Sequence, residues 1–141
     1  MKTLLFLFLI TTSIANSQTI EKNYNSNKVS FRDISDSSKD YVKNYNHSIN
    51  ISINDWIGSV TINNDELMLK YIVNGQYDAF ENDSIKALIL KECTIQHDNR
   101  ESKFNISLVF NKQKNNMNLL IELSNGDSYY YFSLKKIIHE N

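Results

Sequence analysis

The chain has 141 residues, with 15 Lys+Arg against 16 Asp+Glu, one cysteine, three glycines and no proline, which bounds it to one modest domain. Gly58, Gly75 and Gly126 lie too far apart for a glycine-rich phosphate loop, a dinucleotide fingerprint or a nucleophile elbow, each of which needs closely spaced glycines. A lone cysteine excludes an internal disulfide, a Cys-x-x-Cys redox pair and a cysteine-rich zinc site, and the small, mixed charge without a basic cluster argues against nucleic-acid binding.

Residues 1–17 read as a secretory signal. Lys2 supplies the positive start, Leu4 to Ile10 an unbroken apolar run, and Ala15-Asn16-Ser17 the small residues of a cleavage site. Cleavage is expected before Gln18, giving a product exported to the periplasm or the extracellular medium. The apolar run falls short of the roughly 20 residues that span a bilayer, so no transmembrane anchor is expected after cleavage. Residues 18–46 form a polar lead-in with scattered Val29, Phe31 and Ile34. Within it, Ser37-Ser38-Lys39-Asp40 followed by Tyr41 and Tyr45 predicts at most one short helix.

From His47 onward the period is two, which predicts half-buried strands in a β domain over residues 47–141. Ile49, Ile51 and Ile53 alternate with polar residues; Trp56, Gly58, Val60 and Ile62 share a face, as do Leu67, Leu69, Tyr71 and Val73. Ile85 to Ile95 is more continuously apolar. Phe104 to Phe110, Met117 to Leu123 and Tyr130 to Leu134 complete seven or eight strands. The connections are short and rich in Asn, Asp and Gly, including an Asn74-Gly75 pair that suits a tight hairpin turn. Hairpins in succession make an antiparallel meander, since parallel strands need crossovers of about a dozen residues. A meander of this size closes or curls to hide its edges. The fold expected is all-β: an up-and-down meander closed into a small barrel, with a two-layer β-sandwich as the alternative.

At Trp56-Ile57-Gly58, a tryptophan and a nearby glycine open this meander. Here the chain resembles small lipocalin-like (calycin-like) proteins exported by Gram-negative bacteria, in which a Trp-x-Gly or Gly-x-Trp element starts the barrel. The resemblance implies an up-and-down barrel with an apolar internal site. On the physical side, the indole of Trp56 is expected to plug one end of the barrel, and its removal to cost roughly 3–5 kcal/mol as a core void. A small apolar or amphipathic ligand would then be held by inward-facing Trp56, Val60, Leu69, Tyr71, Ile106, Leu108 and Ile121, with Tyr130 supplying orientation.

No catalytic residue, metal ligand or cofactor is predicted. His47, His97 and His139 fall at strand ends, turns or the C-terminus without metal-ligand spacing and read as exposed. Asp78, Glu81 and Asp83 read as turn formers rather than calcium ligands, Cys93 as buried and inert, and Glu122 as outward-facing. Tyr129-Tyr130-Tyr131-Phe132 alternates across its strand. Its outer pair, or an exposed edge strand, supports the rival expectation of a protein-binding module, such as an inhibitor or envelope-assembly factor; a small hydrolase ranks third.

Overall fold

The structure is a computed structural model that describes residues 19–96, 102–123, 126 and 128–136; the signal segment 1–17 lies outside the described residues, as do His97 and His139. Among the described residues eleven strands run in chain order: β1 (Thr19–Ser26), β2 (Val29–Asp33), β3 (Tyr41–Lys43), β4 (His47–Asn54), β5 (Ile57–Asn63), β6 (Met68–Asn74), β7 (Tyr77–Glu81), β8 (Ile85–Ile95), β9 (Phe104–Asn111), β10 (Asn116–Leu123) and β11 (Ser128–Lys136). Every pairing is antiparallel. Following the neighbours through β1, β4, β5, β6, β8, β9, β10 and β11 returns to β1, so the meander is a closed barrel of eight strands with β2, β3 and β7 added.

Turn chemistry explains how a chain without proline makes these reversals. The Asn64 side chain accepts from the backbone of Glu66 and Leu67 while its own N–H donates to the Leu67 carbonyl. Asn82 repeats this pattern with Ser84 and Ile85, and Asn111 accepts from Lys114 N–H. Asparagine thus caps the hairpins in place of glycine. At Gly58 nothing else fits. A Cβ there would lie 2.0 Å from the Ser52 carbonyl oxygen on the paired strand.

The alternation places Ile49, Ile51, Ile53, Val60, Ile62, Tyr71, Val73, Ile106, Leu108, Leu119, Ile121, Phe132 and Leu134 in one interior cluster. Outside, polar residues pair across strands: the Asn50 amide donates to Glu21 and to Asn23. Cys93 lies in the core, where burial pushes its thiol up to about 11, as an inert thiol requires.

Three expectations about the fold are corrected, on the barrel start, Asn74-Gly75 and Trp56. The barrel begins at Thr19, not His47: β1 pairs along all of β4 and its far end meets β11, burying Ile20 and Tyr24. The lead-in holds one short helix, as expected: a 3₁₀ turn over Ser37–Lys39 capped by Asp36, with Tyr41 already in a strand. Asn74-Gly75 makes no hairpin. There β6 continues into β7 along the same neighbour, β8. Glu92 on β8 sits at positive φ in an irregularity between Leu90 and Cys93. Trp56 leaves the Gly58 face altogether: with Asp55 it forms the two-residue turn between β4 and β5, both at positive φ (50° and 64°), and its ring stacks on Tyr77 at 3.7 Å.

Two predictions follow from the backbone. Gly58→Ala should cost on the order of 3 kcal/mol or more because a carbonyl oxygen blocks the added carbon, whereas Gly126→Ala, with nothing within 4 Å, should cost only about 1 kcal/mol through its positive φ. Equal urea midpoints for the two variants would contradict this. Trp56→Ala should lose about 1–2 kcal/mol, the scale of a half-exposed aromatic stack rather than a core void, and Trp56→Gly should lose about 1 kcal/mol less than Trp56→Ala because glycine accepts the left-handed turn. Denaturant unfolding of both variants checks the order.

Candidate functional site

The two ends of the barrel differ. At the end carrying the β4–β5 turn, Lys86 points inward and is 1% exposed; its ammonium lies 3.2 Å from Glu81, which also meets Lys112 at 2.8 Å. These partners, Lys112 first, hold the Glu81 carboxyl below its ordinary value. Asp78 is likewise paired, with Lys91. Glu81 and Asp78 on β7 are therefore each paired with lysine, and among the described residues no group of His, Cys, Asp and Glu is placed to hold a metal.

The opposite end is open. A cavity of about 450 Å³ enters the barrel there. Its rim is built by the β2–β3 hairpin, whose loop is braced by Asp33 accepting from Ser35 and Asp36 and by Asp40 receiving Arg32 and the Asp33 N–H. This hairpin carries Phe31 and Tyr41, stacked at 5.2 Å, and Tyr130 on β11 leans on Phe31 at 5.0 Å. Lys43 lies 5.0 Å over the Tyr41 ring. Across the mouth, Tyr71 on β6 meets Phe104 on β9 edge to face at 5.4 Å. Ile62, Leu69, Ile95 and Ile121 complete the apolar lining, and a second recess of about 270 Å³ between Phe31, Phe104, Leu123 and Tyr130 adjoins it.

His47 forms part of the same wall. It is buried, not exposed as its place in the sequence suggested. Its Nδ1 lies 3.1 Å from the Tyr45 carbonyl and its Nε2 3.3 Å from the Asn64 amide nitrogen, so in this arrangement Nδ1–H donates and Nε2 accepts, which is the neutral tautomer. Phe132 packs against the ring at 5.3 Å.

Burial drives the electrostatics of the mouth. Desolvation raises the Tyr71 phenol well above its ordinary value of 10.0, and the nearby Tyr130 raises it further. Tyr130 is raised by burial and then by Tyr41. Tyr71 and Tyr130 thus line the mouth in their protonated, hydrogen-bonding form. The arrangement offers flat aromatic walls, an aliphatic floor and hydroxyl donors. It presents no paired nucleophile and base.

Of the residues singled out from the sequence, Leu69, Tyr71, Ile121 and Tyr130 line this cavity together. Val60, Ile106 and Leu108 face inward as expected but sit in the filled middle, with no exposed surface. Trp56 stands at the other end. Tyr41, Lys43, Tyr45 and His47, with Phe31 of the adjoining recess, were missed as lining; all but His47 fall within the polar lead-in, where an alternation from Val29 through Phe31 was the one available signal. Tyr129 and Tyr131 face outward, opposite Arg32 and Ser30.

These features define a closed antiparallel barrel, apolar within and polar without, with an aromatic mouth at one end. Compared with protein-family models, with curated proteins and with solved structures, the chain matches none.

Alkaline pH should expose the buried phenols. Tyr24, Tyr71, Tyr130 and Tyr131 all carry raised values in the folded state. A raised folded value leaves stability intact below the unfolded phenol value, near 10.0, and removes it as pH climbs through the folded value. Stability should therefore hold to about pH 10 and then fall, and Tyr71→Phe should flatten that fall. Parallel stability curves for wild type and Tyr71→Phe between pH 9 and 12 would contradict the assignment.

Proposed function

We propose that this is an exported, lipocalin-like barrel that binds a small apolar or amphipathic molecule in its mouth, without catalysing a reaction on it. The observation that carries this reading is the 450 Å³ cavity with its aromatic and aliphatic lining, a size and character typical of small-molecule sites. Affinity would come from burying ligand surface against Leu69, Ile95, Phe104 and Ile121, and orientation from the phenols. Export is supported by Lys2, the Leu4–Ile10 run and Ala15-Asn16-Ser17.

One observation favours a second reading, a protein-binding module. All five residues of β7 are exposed, and β7 pairs only with β8, leaving an edge that an extended segment of another protein can join. Phe80, 50% exposed, and Ile57, 61% exposed, flank that edge.

Native mass spectrometry of protein purified from its own host separates the two. The first reading expects a retained small-molecule mass that Leu69→Trp, which sets an indole in the mouth, reduces by about tenfold in occupancy without lowering the melting temperature. A co-purifying protein and no small molecule would favour the second.

A further inference from the structure

The mouth is wide, shallow and closed from below. On β5, β9 and β10 the lining stops above the filled middle, taking in Ile62 but not Val60, Phe104 but not Ile106, and Ile121 but not Leu119, while β6 contributes Leu69 and Tyr71 and β11 contributes Tyr130 and Phe132. Inward positions recur every second residue, roughly 7 Å along a strand, so the cavity is about one to two such steps deep. Beneath it the aliphatic side chains form one continuous buried cluster. A long acyl chain needs depth along the barrel axis, and the filled middle denies it. A flat ring needs breadth and faces to lie on, which the stacked Phe31–Tyr41 pair and the crossed Tyr71–Phe104 pair supply.

An independent observation concerns the polar groups. Tyr71 is 3% exposed and lines the cavity; its hydroxyl makes no hydrogen bond to another described residue and is not among the fully buried atoms, which leaves it open to the cavity. A hydroxyl without a protein partner in an apolar wall is satisfied only where water or a ligand meets its bond. Burial keeps that group protonated, so it offers a donor. At the rim Lys43 and Glu66 both line the opening, so neither sign of ligand charge is selected there.

Resting on the reading of the mouth as a ligand site, we propose that its ligand class is a compact, flat ring system bearing an acceptor oxygen, a carbonyl or carboxylate, which receives the Tyr71 hydroxyl bond, in preference to a long-chain lipid.

Equilibrium dialysis of the full protein against 2-acetylnaphthalene, 2-ethylnaphthalene and hexadecanoate tests this. The acetyl compound should bind about tenfold more tightly than its ethyl analogue, the worth of one well-made hydrogen bond, and hexadecanoate should bind more weakly than the acetyl compound. Tyr71→Phe should bring the two ring compounds to equal affinity. The acetyl-to-ethyl ratio on the unaltered protein reads the acceptor requirement even where that variant does not fold. Hexadecanoate binding more tightly than both rings, or equal affinity for the two rings, overturns the proposal while leaving the mouth a ligand site. Binding of none of the three overturns the underlying reading as well.

Discussion

Closure of the barrel rests on backbone pairing along one edge of β11. One side of this strand pairs with β10; the other takes β2 and then, further along, β1. The first and last strands of the described chain thereby satisfy each other's hydrogen-bonding groups, which would otherwise stand exposed as two open edges. Between Asn25 opposite Lys135 and Val29 opposite Phe132, four steps on one strand match three on the other. The one-residue change of register falls at Asn27-Lys28, where the chain leaves β1 for β2. There β1 completes the cylinder while β2 carries on beside β11 to raise, with β3, the aromatic wall of the mouth. Barrel and site share a single structural cause.

The sequence revealed faces far better than positions along the barrel axis. Ile106 and Leu108 face inward as their alternation predicts, yet they lie in the solid middle, while Tyr71 and Ile121 reach the cavity. Period-two patterning tells which side of a sheet a residue takes. It cannot tell how high it stands, because height depends on the stagger between strands, a property of register and not of any one strand. β1 escaped notice for another reason. Its inward row reads Ile20, Lys22, Tyr24, Ser26, too polar to signal a strand, and it becomes one because β4 and β11 supply the partners. Trp56 was misplaced because a turn at positive φ normally announces itself with Asn-Gly, and here Asp55-Trp56 fills it.

The division of the interior into a filled middle and an open mouth has a geometric source. Eight strands make a barrel just wide enough for side chains to fill, and the aliphatic residues of β4, β5, β9 and β10 do so. Toward the mouth the lining changes from branched aliphatics to rings. Rings pack edge to face or offset and leave flat gaps where aliphatic chains would interdigitate. The β6–β8 seam contributes too, since only Tyr71–Ile95 and Ile72–Thr94 pair there before β7 takes over the rest of β8.

Packing alone would favour phenylalanine at position 71, since its ring makes the same contact with Phe104 and carries no oxygen to satisfy. The hydroxyl is therefore a local departure from the otherwise consistent rule of apolar inside and polar outside, and such departures gather at functional sites. Lys86, at the other end, departs from the same rule but is answered by Glu81. Tyr71 has no such answer among its described neighbours, and it lines the cavity. A molecule entering the mouth exchanges a water bond at that oxygen for its own, which leaves affinity unchanged only when it brings an acceptor to the right place. One phenol can thus turn a generally apolar cavity into one that discriminates between ligands of equal size.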